Sequence, residues 1–202
     1  MTEQVRSPKS DKPRAYQMKQ RALSVDETRQ RIVEATVRLH GSLGPAQTSI
    51  AAIAQEASVT RLTVYRHFPD LDALFGACTA HWAAQQQLPD LDAWLGITDP
   101  EARLRFALTD VYRFFRDAQQ MLELVNRDRE AMPTFVRERS QARDEARVES
   151  VLSAWPARRR TAGRRALVGH ALAFTTWHSL CVEQGLRRTR AADEMVRLVV
   201  GA

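Results

Sequence analysis

Apolar residues recur along this chain at intervals of three and four, and no stretch shows a two-residue alternation. From Asp26, Ile32, Ala35, Thr36 and Leu39 share one helical face, while Arg29, Arg31, Glu34 and Arg38 occupy the others. Gly41 and the Gly44–Pro45 pair end this helix. Thr48 is placed to cap a short second helix running through Ile50, Ile53 and Ala54 to Glu56. Thr60 is placed to cap a third, carrying Val64, Tyr65 and Phe68 and stopping near Pro69. A fourth opens at Asp70 with a stripe of Leu71, Leu74, Phe75, Cys78 and Trp82.

The texture then changes. Residues 88–100 are rich in Pro, Gly and Asp and read as a connector. Thr98 or Asp99 caps the next helix, with Pro100 in its first turn and a stripe of Leu104, Leu108, Val111 and Phe115. Pro133 opens a long charged helix over 133–153, closed by Trp155 and Pro156. A further helix covers 161–184 up to Gly185, and a short last one follows Thr189. The pattern predicts an all-α fold with no internal repeat.

Charge refines this picture without naming a partner. The 202 residues carry 30 Lys+Arg against 24 Asp+Glu, a formal +6. All three lysines, Lys9, Lys12 and Lys19, fall in the first 25 residues, which are net +4 and have few apolar positions. Such a stretch is expected to be a basic, flexible arm. Residues 26–82 are net −1, so a general basic surplus does not mark them as a DNA reader. No run of eighteen apolar residues exists to span a membrane, and the N-terminus has no apolar segment of the secretory kind. Cys78 and Cys181 lie far apart in helical patterns and fit small buried hydrophobes, so a cytoplasmic setting is expected. Phosphate-binding glycine loops, GxSxG and HExxH are absent, so neither catalysis nor a cofactor is expected.

The two short helices are separated by only Ala57, Ser58 and Val59, the spacing of a helix-turn-helix. Ile50, Ile53, Val59, Val64 and Phe68 can close a small core on Ile32, Ala35 and Leu39. That leaves Thr60, Arg61, Thr63, Tyr65, Arg66 and His67 facing outward, a set suited to phosphates and base edges in a major groove.

Over residues 28–82 the sequence resembles the DNA-binding domain of the tetracycline-repressor (TetR) family of bacterial transcription regulators. Ile53–Ala54, Ala57, Val59–Thr60 and the run Thr63–Val64–Tyr65–Arg66–His67–Phe68–Pro69 carry the likeness. The resemblance implies DNA-contacting roles for Thr48, Thr60, Arg61, Thr63, Tyr65 and His67, with double-stranded operator DNA as partner. Ser58 stands where a glycine is common, and Asp70 and Asp72 stand where a basic residue is common after Phe-Pro. The expected organisation is an arm over 1–25, a helix-turn-helix domain over 26–70, a connecting helix over 71–86, and a helical effector-binding and dimerisation domain over 87–202. Arg14, Lys19 and Arg21 in the arm are expected to add phosphate contacts.

From Leu167 to Val182 apolar residues occupy nearly every helical face, more than one core can cover. A homodimer through the last two helices is therefore expected, as the resemblance also implies. Aromatics concentrate in the same half, where Phe106, Tyr112, Phe174 and Trp177 are candidates to line a pocket for a small hydrophobic effector. Arg103, Arg105, Arg113 and Arg116 could orient an acidic ligand or form a solvated face. His170 and His178 flank Phe174 but lack a carboxylate or cysteine at ligand spacing, so no metal is expected. The functional expectation is a repressor released from its operator by an effector. The rival is a DNA-binding regulator or architectural protein without an effector, controlled by a protein partner.

Overall fold

The computed structural model describes the backbone of residues 14–201 and the side chains of residues 23–201. These residues are helical throughout their regular structure, with no strand among them. The N-terminal part comprises α1 (Arg14–Ser42), α2 (Ile50–Glu56) and α3 (Arg61–His67), followed by α4 (Leu71–Ala84). The C-terminal part comprises α5 (Leu91–Leu95), α6 (Pro100–Asp117), α7 (Gln119–Arg127), α8 (Thr134–Leu152), α9 (Ala162–Ala171), α10 (Phe174–Trp177) and α11 (Arg188–Val200).

Two cores result. Ile32, Val33, Ala35, Ile53, Val64 and Phe68 close the first, with Leu74 and Cys78 of α4 completing it. The second, larger core gathers α5, α6, α8, α9, α10 and α11 around Trp94, Leu108, Tyr112, Val151, Trp177 and Val199. Helix α4 therefore belongs to the first core at its start, and Trp82 near its end packs on the second.

Several boundaries differ from those read off the sequence. Helix α1 begins at Arg14 rather than Asp26, so the latter half of the expected arm is helical. Ala, Gln, Met, Lys, Arg and Leu dominate residues 15–23, and these extend a helix by propensity. The N-cap of α2 is Ser49, whose Oγ accepts from Ala52 N at 3.1 Å, and not Thr48. Thr48 instead donates its hydroxyl to Gly44 O at 2.8 Å. The connector at 88–100 contains α5, capped by Asp90, and buries Trp94 completely. Helix α7 was not among the predicted elements. The helix expected over 161–184 is broken at Leu172–Ala173, where Ala173 is extended. It resumes as α10 and widens into a π-helical turn over His178–Glu183. Thr176 Oγ1 donates to His170 O at 2.6 Å across the break, beside the backbone bond that this carbonyl takes from Ala173 N at 3.1 Å.

Candidate functional site

The short helices α2 and α3 are joined by a tight reversal. Val59 N donates to Ala54 O at 2.9 Å and Ser58 N to Gln55 O at 3.0 Å, a Schellman closure with Ser58 in the left-handed position at φ 54°. Thr60 then caps α3: its Oγ1 accepts from Thr63 N at 3.1 Å and lies 2.9 Å from Thr63 Oγ1. Val64 and Phe68 anchor the helix in the first core, and Arg29 of α1 lays its guanidinium 4.6 Å over the Phe68 ring. An ion pair from Arg38 to Glu56 at 2.8 Å ties α1 to α2.

This packing turns one face of α3 to solvent. Thr60, Arg61, Tyr65 and Arg66 are exposed, while Thr63 and His67 are half-buried. The expected contacts on α3 thus share one helix, but Thr48 stands apart, half-buried in the turn before α2. Desolvation, and after it the cations of Arg66 and Arg29, lower the His67 pKa. The ring is therefore neutral at pH 7 and can donate one hydrogen bond. Leu62, 78% exposed on α3, was missed by the sequence reading. Its position one residue after Arg61 on a surface-facing helix was the available signal. An exposed aliphatic side chain there suits the methyl group of thymine. The side chains of Arg14, Lys19 and Arg21 lie outside the described residues. Asp70 is the N-cap of α4, accepting from Ala73 N at 2.7 Å, so this departure from the family pattern has a structural use.

The chain resembles known proteins at this same domain. Residues 32–78 match the model of the bacterial regulatory proteins of the tetR family. It is at this domain that the chain is similar to the tetR family. The HTH-type transcriptional regulator AcrR of Shigella flexneri is 45% identical over 49 residues, which span 24% of this chain and 23% of that protein. The likeness to that relative is thus confined to less than a quarter of its length. A tetR-family transcriptional regulator from Streptomyces coelicolor superposes with a TM-score of 0.62 at 18% identity, over 87% of this chain and 80% of its own. A TetR-like regulator from Rhodococcus sp. RHA1 gives 0.57 at 20% identity, over 86% and 93%. These structures extend the fold likeness from the tetR-family domain to the helices beyond it.

Behind the tetR-family domain lies a cleft of about 400 Å³, walled by α1 and α4 on one side and by α6, α7 and α8 on the other. Phe75, Trp82, Phe114, Phe115, Leu122 and Phe174 give it an aromatic and aliphatic lining. Of the four expected pocket residues, only Phe174 reaches it. Phe106 is 45% exposed on the outer face of α6. Tyr112 and Trp177 are packed in the second core, Tyr112 donating to Ala171 O at 2.9 Å. The arginines of α6 do not form a ligand-orienting row either. Arg103 is buried and bonded to the carbonyls of Leu95, Ile97 and Ser150, and Arg105, Arg113 and Arg116 pair with carboxylates. His178 does face carboxylates, Glu123 and Glu183, at 3.3 Å each. Glu123 was invisible to local spacing because it arrives from α7.

The two domains are latched at the end of α1. Asp128 accepts from Ala46 N at 3.0 Å, Arg127 donates to Leu43 O at 2.7 Å, and Gln120 donates to Gly41 O at 2.9 Å. Gly44, at φ +92°, lies so close that a Cβ would run into Arg127 and Asp128. His40 is buried beside this latch, its ring 5.0 Å from that of Phe75, and burial pushes its pKa down to about 4.

Proposed function

We propose that this protein is a dimeric, sequence-specific DNA-binding transcription regulator, and that it is a repressor released when a small molecule fills the inner cleft. The observation that carries this reading is the make-up of the cleft walls. Helices α1 and α4 pack directly on the helix-turn-helix, and they also line the cleft together with α6, α7 and α8. A ligand that binds one arrangement of these walls better than another shifts the orientation of α3. Repression as the sign is supported by α3 being capped and anchored by the protein's own residues, which makes the reader competent before any effector arrives.

Direct DNA contact is assigned to Thr60, Arg61, Thr63, Tyr65 and His67, with Thr48 contributing from the turn before α2. Dimerisation is assigned to the last two helical segments. On α11, Ala191, Ala192, Val196 and Val199 are buried inward, while Leu198 and Val200 remain 46% and 42% exposed on the outer side. Two copies of α3 on a two-fold axis would address half-sites one helical turn apart.

The test begins with selection of bound duplexes from a random pool, followed by a small-molecule screen read by melting shift and by release of the selected DNA. A palindromic selected motif, and compounds that both raise the melting temperature and lower DNA affinity, are the expected results. Failure to enrich any motif sinks the DNA reading. A motif without any releasing compound across a chemically broad library sinks the effector reading and leaves a regulator controlled by other means.

A further inference from the structure

The inner cleft is lined by two unlike sets of side chains. Beside the aromatic residues named above, four guanidinium groups line it, those of Arg129, Arg137, Arg143 and Arg147, against one carboxylate, that of Asp144. An apolar hollow with an excess of cations is an uncommon arrangement, because burying a charge without a partner is costly.

The protein's own groups satisfy these cations incompletely. The Arg147 side chain is only 14% exposed, and its ion pair is a single 3.2 Å contact to Asp144, whose own side chain is 62% exposed. Desolvation lowers the Arg147 pKa; Asp144 and, more weakly, Asp110 of α6 oppose this, and Arg143 reinforces it from one turn away on α8. Two like charges therefore face the same hollow. Arg143 makes a hydrogen bond to Ser140 Oγ at 3.0 Å. Further along the same helix, Arg137 pairs with Glu130 and donates to Thr134 Oγ1, each at 3.3 Å, but its Nε is buried with no acceptor among the described residues. The contrast with Arg103 is instructive. Arg103 is deeper still, but it donates to three backbone carbonyls and to Ser153 Oγ, leaving nothing for a ligand.

We propose that the cleft takes an organic anion, a carboxylate on an aliphatic or aromatic body, with the carboxylate held between Arg143 and Arg147 and the body against Phe75, Trp82, Phe115 and Phe174. A planar carboxylate matches the guanidinium fork, and a negative charge between the two cations relieves their mutual repulsion. The apolar body displaces water from the aromatic lining, which neither inorganic phosphate nor a small polar acid would do. The volume lies within the range of roughly 300–1,000 Å³ found for small-molecule sites. This assignment rests on reading the cleft as the effector site.

The experiment uses three probes of equal chain length, decanoate, decanol and decyltrimethylammonium, titrated calorimetrically into the full-length protein. Decanoate is expected to bind about ten-fold or more tightly than decanol, the scale of one charge-assisted hydrogen-bonded contact. Arg147→Gln and Arg143→Gln should each reduce that advantage while leaving decanol affinity within two-fold, and Arg147→Lys should retain part of it. Arg143 is at the surface, so its variant keeps the test open should Arg147→Gln fail to fold. Equal or tighter binding of decanol or the cation overturns the anion assignment and leaves the effector reading standing. An anion preference unchanged in both glutamine variants also overturns it, since the carboxylate would then sit elsewhere. Binding by none of the three overturns it as well, and the effector reading is then decided by the neutral and cationic members of the release screen.

Discussion

The two domains use arginine in opposite ways. In the N-terminal domain Arg61 and Arg66 stand out from α3, and Arg29 and Arg38 lie along the surface against Phe68 and Glu56. In the C-terminal domain Arg103 and Arg164 are 5% and 6% exposed, and their guanidinium groups are taken up by backbone carbonyls, those of Arg164 by Arg159 and Val199. An outward guanidinium keeps its donors for a partner. An inward one spends them holding loops and helix ends in place, and its removal strands the carbonyls it served. Arg143 and Arg147 lie between these extremes, one at the surface and one half-buried, with few acceptors apiece. What distinguishes the three groups is the supply of acceptors around each side chain, a property of the fold and not of residue type.

The strongest way to break this contrast is a matched pair of substitutions. Arg103→Met removes four hydrogen bonds and leaves the carbonyls of Leu95, Ile97 and Ser150 without that donor. The expected loss is about 3 kcal/mol or more of unfolding free energy, measured by urea denaturation. Arg61→Met, at an exposed position on α3, should stay within about 0.5 kcal/mol of the parent. Its effect should fall on DNA, where losing a guanidinium at a base edge or phosphate lowers affinity by about 1–3 kcal/mol, read by fluorescence anisotropy on the selected site. If Arg61→Met destabilised the fold as much as Arg103→Met, the outward and inward roles would not be distinct.

A second comparison concerns the boundary where the domains meet. His40 is buried there with a pKa of about 4, against an ordinary 6.5, because its surroundings disfavour the charged ring more than Asp128 favours it. The unfolded chain therefore binds a proton that the folded one refuses between pH 6.5 and 4. Stability is full above pH 6.5 and falls as pH drops through that window, by about 3 kcal/mol in all. Asp128 behaves differently. The hydrogen bond from Arg127, with smaller contributions from Ala46 N and nearby cations, holds its pKa below the usual carboxylate value. Its contribution is present above about pH 4 and is lost only as pH falls through its own lowered pKa. His40→Gln should flatten the denaturation free energy between pH 6.5 and 4 while leaving the loss at lower pH. A slope that persists unchanged in that variant would place the titrating group elsewhere.

The same division governs what could be read from the sequence. The caps at Thr60 and Asp70, the three-residue turn and the proline opening α6 act within a few residues, and the structure has them where the chain suggested, with Asp99 the cap of the two candidates before α6. Thr60, Arg61, Tyr65 and Arg66 were legible as outward for the same reason, since one short helix carries them, while Thr63 and His67 are half-buried. Thr48 and Ser49 are adjacent hydroxyls, and only the register of the folded turn decides which of them caps α2. Trp94 is held by Asp110, which accepts from its Nε1 at 2.9 Å from a helix sixteen residues on, so nothing local announced α5 as buried. The break before α10 has no proline or glycine to mark it. Phe106 was on the outer face of α6, and the cleft draws on residues from α1 through α10, so no stretch of sequence contains it. The run from Arg137 to Arg147 looks like a solvated face until Phe75 and Trp82 of α4 are seen across from it.

The smallest predicted effect separates local strain from domain architecture within the N-terminal domain itself. Ser58, at φ 54°, is the one non-glycine residue among those described that adopts positive φ, and it occupies the position where the Schellman closure favours glycine. A side chain in that conformation costs about 1–2 kcal/mol through the crowding of its Cβ. Glycine removes this cost but adds freedom to the unfolded chain, which returns about 0.4–1 kcal/mol of it. Ser58→Gly should therefore stabilise the protein by about 0.5–1 kcal/mol, seen as a higher urea midpoint at unchanged slope. DNA affinity should remain within two-fold, because Ser58 ends α2 and does not belong to the outward face of α3. A variant that gained stability and lost affinity would mean that the strained turn positions α3, and that the reader's geometry depends on its connection as much as on its caps.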